Sequence, residues 1–172
     1  MDFKEIVQRR RSIRRFTEQP VDEQQLDTIL RAALMSPTGH SARGWQFVVV
    51  SDRNTLNQLA ATKSAGADFL KEAPVAVVVA YDATSSDVWV EDASIAAVTM
   101  QYQATELGLG SCWSQIRLRT DADGRSASEA VKSLLSLPET WEVECIIAFG
   151  YPAIERKMQD GSRLAWQQVI KK

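Results

Sequence analysis

Cysteine and histidine are scarce in this chain: its 172 residues hold two cysteines, Cys112 and Cys145, and one histidine, His40. That scarcity leaves no close-spaced zinc motif. A Ser-His-Asp or Cys-His arrangement would have to use His40, and nothing around that residue supports one. Both cysteines lie in apolar stretches, so buried free thiols are expected. No apolar run approaches the roughly 18 residues of a membrane-spanning helix. The strongest run, Val75 to Ala80, has the length of a strand. Positive charge is not in excess either. A formal net charge of -2 and a pI near 5.5 argue against nucleic acid as the main partner. Internal repeats and linker-like stretches are missing, and the N-terminus carries no signal-peptide pattern. The expectation is a single cytoplasmic domain over residues 1–172, large enough for a proper core.

Against that acidic background one stretch stands out. Residues 9–15 place five arginines in seven positions, Arg9, Arg10, Arg11, Arg14 and Arg15. A basic focus in an acidic protein is a local device. Guanidinium groups present a planar fork of donors suited to phosphate oxygens, and the Ser12 hydroxyl adds another donor. Ile13 and Phe16 are apolar and three apart, so they can anchor the segment while the arginines face a ligand. The alternative is a solvated patch closing the first helix, where arginines suit the negative end of the dipole.

Taken in order, Asp2 caps a first helix running to about Arg9. A second helix opens at Val21 or Asp22 and runs through Met35, with Leu26, Ile29, Leu30, Ala33 and Leu34 on one face. Ser36 to Gly44 is a loop of small, polar and turn-forming residues. Trp45 to Val50 is a strand, Asp52 to Ala61 a helix, and Ala67 to Glu72 a shorter one. Val75 to Tyr81 reads as a strand buried on both faces. Val90 to Leu107 is the longest helical pattern and is apolar nearly all round, which places it centrally or in a subunit interface. Gly108 caps it, and acidic Glu91 and Asp92 suit its N-terminal dipole. Ser111 to Ser114 is a short strand, Ala127 to Leu135 a helix, and Val143 to Gly150 the last core strand. A final helix is expected near Leu164 to Ile170. This order implies an α+β or mixed α/β sandwich around one sheet.

Three stretches together resemble the nitroreductase family of flavin enzymes. They are Arg10-Arg11-Ser12-Ile13-Arg14-Arg15-Phe16, the loop from Ser36-Pro37-Thr38 to Trp45-Gln46-Phe47, and Gly108-Leu109-Gly110-Ser111-Cys112-Trp113. Their order and the elements between them cover nearly the whole chain. The resemblance implies an α+β nitroreductase-like sandwich, with a central, mostly antiparallel sheet flanked by helices and the long helix at a dimer interface. It implies a homodimer with FMN bound between subunits, NADH or NADPH as co-substrate, and a small-molecule acceptor such as a nitroaromatic or a quinone. Ping-pong kinetics follow from one shared flavin. Alternatives within the same resemblance are flavin destruction, reductive dehalogenation, or flavin storage with little turnover. The chain departs from the family pattern at Ser41 and at Arg43-Gly44, where Asn and Gln-Pro are usual.

The site implied by the resemblance has two ends. Arg10, Arg11, Ser12 and Arg14 serve the phosphate and ribityl chain, and Arg156 and Lys157 return to the phosphate. Ser36, Pro37 and Thr38 run along one face of the ring, Ser41 stands at its polar edge, and Arg43 near the pyrimidine. Gly110, after Leu109, lets backbone approach the flavin. No side chain is assigned a catalytic role, because the flavin carries the redox chemistry. Gly108-x-Gly110 lacks the third glycine and the preceding strand of a dinucleotide fingerprint.

Overall fold

The computed structural model describes residues 1–172 as one sheet covered on both faces by helices. The elements in chain order are α1 (Phe3–Arg9), α2 (Glu23–Leu34), β1 (Trp45–Val50), α3 (Arg53–Ala61), β2 (Val75–Asp82), α4 (Trp89–Glu106), β3 (Gly110–Gln115), α5 (Ala127–Leu135) and β4 (Trp141–Gly150). The four strands lie in the order β1-β2-β4-β3, and every neighbouring pair is antiparallel. The helix N-caps follow the sequence: Asp2, Asp22, Asp52 and Ser126 each accept a backbone N–H with a side-chain oxygen.

Strand β2 shows how the core is divided. Its alternating side chains enter two separate clusters, Ala76, Val78 and Ala80 in one and Val75, Val77, Val79 and Tyr81 in the other. A strand buried on both faces reads as a continuous apolar run, which is what the sequence shows. Each fully buried valine contributes roughly 1.5 kcal/mol or more. Helix α4 closes the second cluster through Ala93, Ala96, Ala97, Met100 and Ala104, all at 0% exposure. Alanines on that face let the helix lie close to the sheet. On its other face Ile95 is exposed and Val98 half-buried, while Tyr102 packs edge-on against Phe3 of α1 with ring centroids 5.5 Å apart, so an apolar stripe is only partly covered. No helix is long and apolar enough to cross a membrane. Both cysteines are buried free thiols.

Two expected helices are shorter than the sequence suggests. Ala67 to Glu72 forms only a 3-10 turn over Asp68–Lys71, because Pro74 follows closely and blocks elongation. The terminal helix is reduced to a turn at Trp166–Gln168. That tail is exposed throughout, and a short helix without a packed face is marginal in water.

Candidate functional site

The arginine stretch is fixed by its backbone, leaving its side chains for other work. Ser12 bridges Ser111 in parallel fashion and Phe16 bridges Pro152. The Ile13 N–H donates to the Ser111 carbonyl at 2.9 Å, and the Thr17 N–H to the Tyr151 carbonyl at 2.9 Å. Ile13 and Phe16 are buried, as their spacing predicted. The segment therefore lies against the start of β3 and the chain just after β4, and it inherits their rigidity.

The tail then folds back over it. The Arg11 guanidinium donates to the Lys157 carbonyl at 2.6 Å, and the Gln159 N–H to the Gln8 carbonyl at 2.8 Å. Between them opens a cleft of about 760 Å³ whose walls include Arg10, Arg11, Ser12, Arg14, Arg156 and Lys157. Residues more than 140 positions apart in sequence thus meet in one hollow. Arg163 joins them, and the only acid is Asp160. The carboxyl of Asp160 is held below the usual carboxylate range by hydrogen bonds from the Ser162 hydroxyl and N–H.

The ion pairs separate these arginines into two kinds. Arg9 pairs with Glu5 and Arg15 with Glu72, both at 2.8 Å. Arg10, Arg11, Arg14, Arg156, Lys157 and Arg163 take part in no ion pair. Cations left unneutralised beside a free hydroxyl are a donor set that fits a phosphate dianion.

The loop from Ser36 to Gly44 is built differently. His40, Ser41 and Arg43 have φ of 51°, 56° and 50°, in the left-handed region that costs a non-glycine residue on the order of 1 kcal/mol or more. The loop is held by a buried carboxylate. Asp92, 2% exposed, accepts the Gly39 N–H at 2.8 Å and the Tyr81 hydroxyl at 2.8 Å. The Arg43 N–H reaches the Thr38 hydroxyl at 3.3 Å, while Ser36 turns back to the Ala32 carbonyl at 3.3 Å. The Pro37, Ser41 and Arg43 side chains are exposed.

One chain does not bring these two regions together. The loop sits at the N-terminal end of α4, through Gly39 and Asp92. The cleft sits at the other end, where Arg11, Ile13, Thr105 and Gly110 line a smaller adjoining hollow of about 190 Å³. At about 1.5 Å per residue, the ends of this 18-residue helix stand about 27 Å apart. Leu109 and Gly110 border the adjoining hollow, but the close approach that glycine permits at 110 is filled by the protein itself. A Cβ there would meet Ile13 atoms at 2.8 and 2.9 Å. Leu109 is buried.

Two groups escaped the sequence reading. Asp92 is a buried tether, not an acid placed only for the helix dipole. Its signal was its position on the core stripe Asp92-Ala96-Met100-Ala104, at i+4 spacing. Glu144 is the other. Val79 pairs with Cys145 and Ala80 with Val143, so Glu144 is the extra residue of a β-bulge. Gln115 donates to its carboxylate at 3.1 Å, and one carboxylate oxygen is buried without a partner. Burial pushes its carboxyl above the usual range, against the pull of Gln115 and Arg117.

An all-antiparallel α+β sandwich with an anion-receptive cleft against its sheet edge defines a fold class, and comparison with known proteins gives the family. The nitroreductase family model matches residues 7–66 and 58–151. The chain belongs to the nitroreductase family, a family of oxidoreductases. It is 42% identical to an FMN-dependent nitroreductase of Clostridium difficile R20291, whose structure superposes with a TM-score of 0.94 over 96% of both chains. It is 35% identical, over 89% of this chain and 78% of the relative, to a Methanothermobacter thermautotrophicus protein named "Putative NADH dehydrogenase/NAD(P)H nitroreductase". A Desulfovibrio desulfuricans protein solved in complex with FMN shares the fold, with a TM-score of 0.81 and 23% identity over 100% of this chain and 97% of that one.

Proposed function

We propose that this chain is an FMN-dependent oxidoreductase that takes hydride from NADH or NADPH and passes it to nitroaromatic, quinone or similar acceptors by a ping-pong mechanism. The observation that carries the reading is the cleft of six unpaired cations in a chain of net charge -2. Bound FMN supplies the redox chemistry. Arg10, Arg11 and Arg14, with Arg156 and Lys157, hold its phosphate, and Ser12 donates to the same oxygens. The Ser36-Pro37-Thr38 backbone and Ser41 flank the ring. The Arg43 guanidinium, free of carboxylate partners, favours negative charge near the pyrimidine edge. Leu109 and Gly110 close the floor between cleft and helix.

The separation along α4 supports a two-chain assembly. A single copy holds the phosphate end and the ring end about 27 Å apart by the rise of its helix. A second copy packed antiparallel on the partly covered Ile95-Val98 stripe would set the loop of one chain beside the cleft of the other. The proposed active unit is a homodimer with two shared sites, working in the cytoplasm, and light scattering of the flavin-bound protein is expected to give the dimer mass. A monomer with flavin bound overturns the shared site.

The decisive test is flavin fluorescence titration of apoprotein with FMN and with riboflavin, which lacks the phosphate. Each charge-assisted hydrogen bond is worth roughly 1.5–3 kcal/mol, so Arg10→Ala and Arg14→Ala each cost FMN at least about tenfold. Riboflavin binding stays nearly unchanged. Arg9→Ala and Arg15→Ala, whose side chains already serve Glu5 and Glu72, cost much less. Equal loss for both ligands in all four variants overturns the phosphate assignment.

A further inference from the structure

The Ser36–Gly44 loop is strained, polar and only partly buried, yet it is not loosely attached. Both of its ends rest on the same buried pair. At one end the Gly39 N–H is accepted by Asp92, and Gly39 lies so close to α4 that a Cβ would meet Val88 Cγ2 at 2.4 Å. At the other end Gly44 lies on the Tyr81 ring, where a Cβ would meet Cε1 at 2.5 Å. The Gly44 carbonyl accepts the Asp82 N–H at 2.9 Å. Tyr81 is 0% exposed and Asp92 2%, and the Tyr81 hydroxyl closes the pair by donating to Asp92 at 2.8 Å. One carboxylate therefore ties the end of β2, the first turn of α4 and the start of the loop together. Helix-dipole stabilisation needs none of this, since an exposed acid in the first turn does that as well.

We propose that Asp92, oriented by Tyr81, is a positioning residue that holds the Ser36–Gly44 loop in its left-handed conformation and so sets the ring end of the flavin site. The inference rests on the reading that this loop flanks the flavin ring. A backbone that meets a flat ring has to be held within about 0.5 Å of its productive place. Three left-handed non-glycine residues relax once their anchor is gone. Asp92 itself does not reach the ligand. Its effect travels through Gly39 at one end and through the Tyr81 ring under Gly44 at the other. Burial raises the Tyr81 phenol, and Asp92 adds to the rise, so the hydroxyl stays a donor through neutral pH.

The test compares Asp92→Ala, Asp92→Asn and Tyr81→Phe with the wild type, each as full-length apoprotein titrated with FMN and with riboflavin. Asp92→Ala is expected to weaken both ligands by the same factor, at least about tenfold, since it leaves one buried and one half-buried donor unpaired. Asp92→Asn is expected within about threefold of wild type, because its amide oxygen still accepts the Gly39 N–H. Tyr81→Phe is expected to weaken both ligands about threefold, by loss of one hydrogen bond. Visible circular dichroism of the saturated variants is expected to change, because the ring's surroundings change while the phosphate end does not. Wild-type apoprotein that takes up neither flavin overturns the flavin reading itself. Wild type that binds, with variants that lose thermal stability but keep both affinities, overturns the positioning role. Loss for FMN alone overturns it too, because that places the effect at the phosphate. If Asp92→Ala does not fold, Tyr81→Phe decides: unchanged affinity and an unchanged dichroism spectrum overturn the proposal.

Discussion

The cleft and the loop, the two regions proposed to hold the flavin, are built in opposite ways. The cleft has a relaxed backbone, pinned by strand-like bridges from Ser12 to Ser111 and Phe16 to Pro152, and it presents unneutralised, half-buried or exposed cationic side chains. The loop has a strained backbone, held from beneath by the buried Asp92–Tyr81 pair, and it offers main chain to its surroundings. Charge can be placed on a rigid edge at little structural cost. Shape cannot, because a backbone in the left-handed region has to be over-determined by its neighbours to persist. Stability and binding are therefore expected to be separable in the cleft and coupled in the loop.

The largest expected effect attacks the charge side of that contrast. Arg14→Glu replaces a proposed phosphate partner with a repelling carboxylate, so FMN affinity is expected to fall by at least about 100-fold. Riboflavin binding and the melting temperature of the apoprotein barely move. Titration and thermal denaturation of the same sample check both halves, and a large drop in melting temperature contradicts the idea that the cleft is energetically separate from the fold.

The loop side gives the reverse pattern. Gly44→Ala forces a Cβ to within 2.2 Å of the Ser85 hydroxyl oxygen and 2.5 Å of the Tyr81 ring. Overpacking of this kind costs about 1–3 kcal/mol, a fall of roughly 2–10 °C in melting temperature for a domain of this size. Riboflavin and FMN are expected to weaken together. A variant that melts like wild type shows that the loop's seat on Tyr81 is softer than its contacts imply.

The smallest effect concerns the other buried acid. The folded protein holds the Glu144 carboxyl above the usual range, chiefly through burial. Its favourable contribution is therefore complete below the unfolded carboxylate range, near pH 4.3 for Glu, and is lost as pH rises through the higher folded value. Glu144→Gln keeps an acceptor for Gln115 without a buried charge. It is expected to stabilise the protein at pH 7–8 by on the order of 1 kcal/mol, with the gain shrinking as pH falls toward 4. Denaturant unfolding across that range checks the sign. Destabilisation at neutral pH means that the Gln115 and Arg117 contacts outweigh burial.

The elements were largely legible in the sequence because their causes are local. Asp2, Asp22 and Asp52 are cap residues by chemistry, and they cap. The apolar run from Val75 fills both faces of a central strand. The arginine stretch was legible as a local concentration of charge, five arginines in seven positions, anchored by the buried Ile13 and Phe16. Which arginines are free was not legible. Arg9 lies four residues from Glu5, a pairing that the helix period allows, but Glu72 reaches Arg15 only through the fold. Asp92 was misjudged for a similar reason: an acid in the first turn of a helix has a sufficient local explanation, and its partners Gly39 and Tyr81 lie 53 and 11 residues away.

What the sequence determined by itself was the covalent inventory and its short-range consequences: caps, apolar periods, the cationic stretch, and the scarcity of cysteine and histidine. Tertiary structure alone decided that Arg156 and Lys157 close over Arg10 and Arg14 in one cleft. It alone placed that cleft and the Ser36–Gly44 loop at opposite ends of α4, and it alone turned Asp92 inward and Glu144 into a bulge. The physical reason is range. Caps and periodicities act within one or two turns of chain, so the residues that cause them are neighbours in the sequence. Burial, ion pairing and strain depend on which distant residue arrives to remove water or accept a proton, and folding of the whole chain settles that.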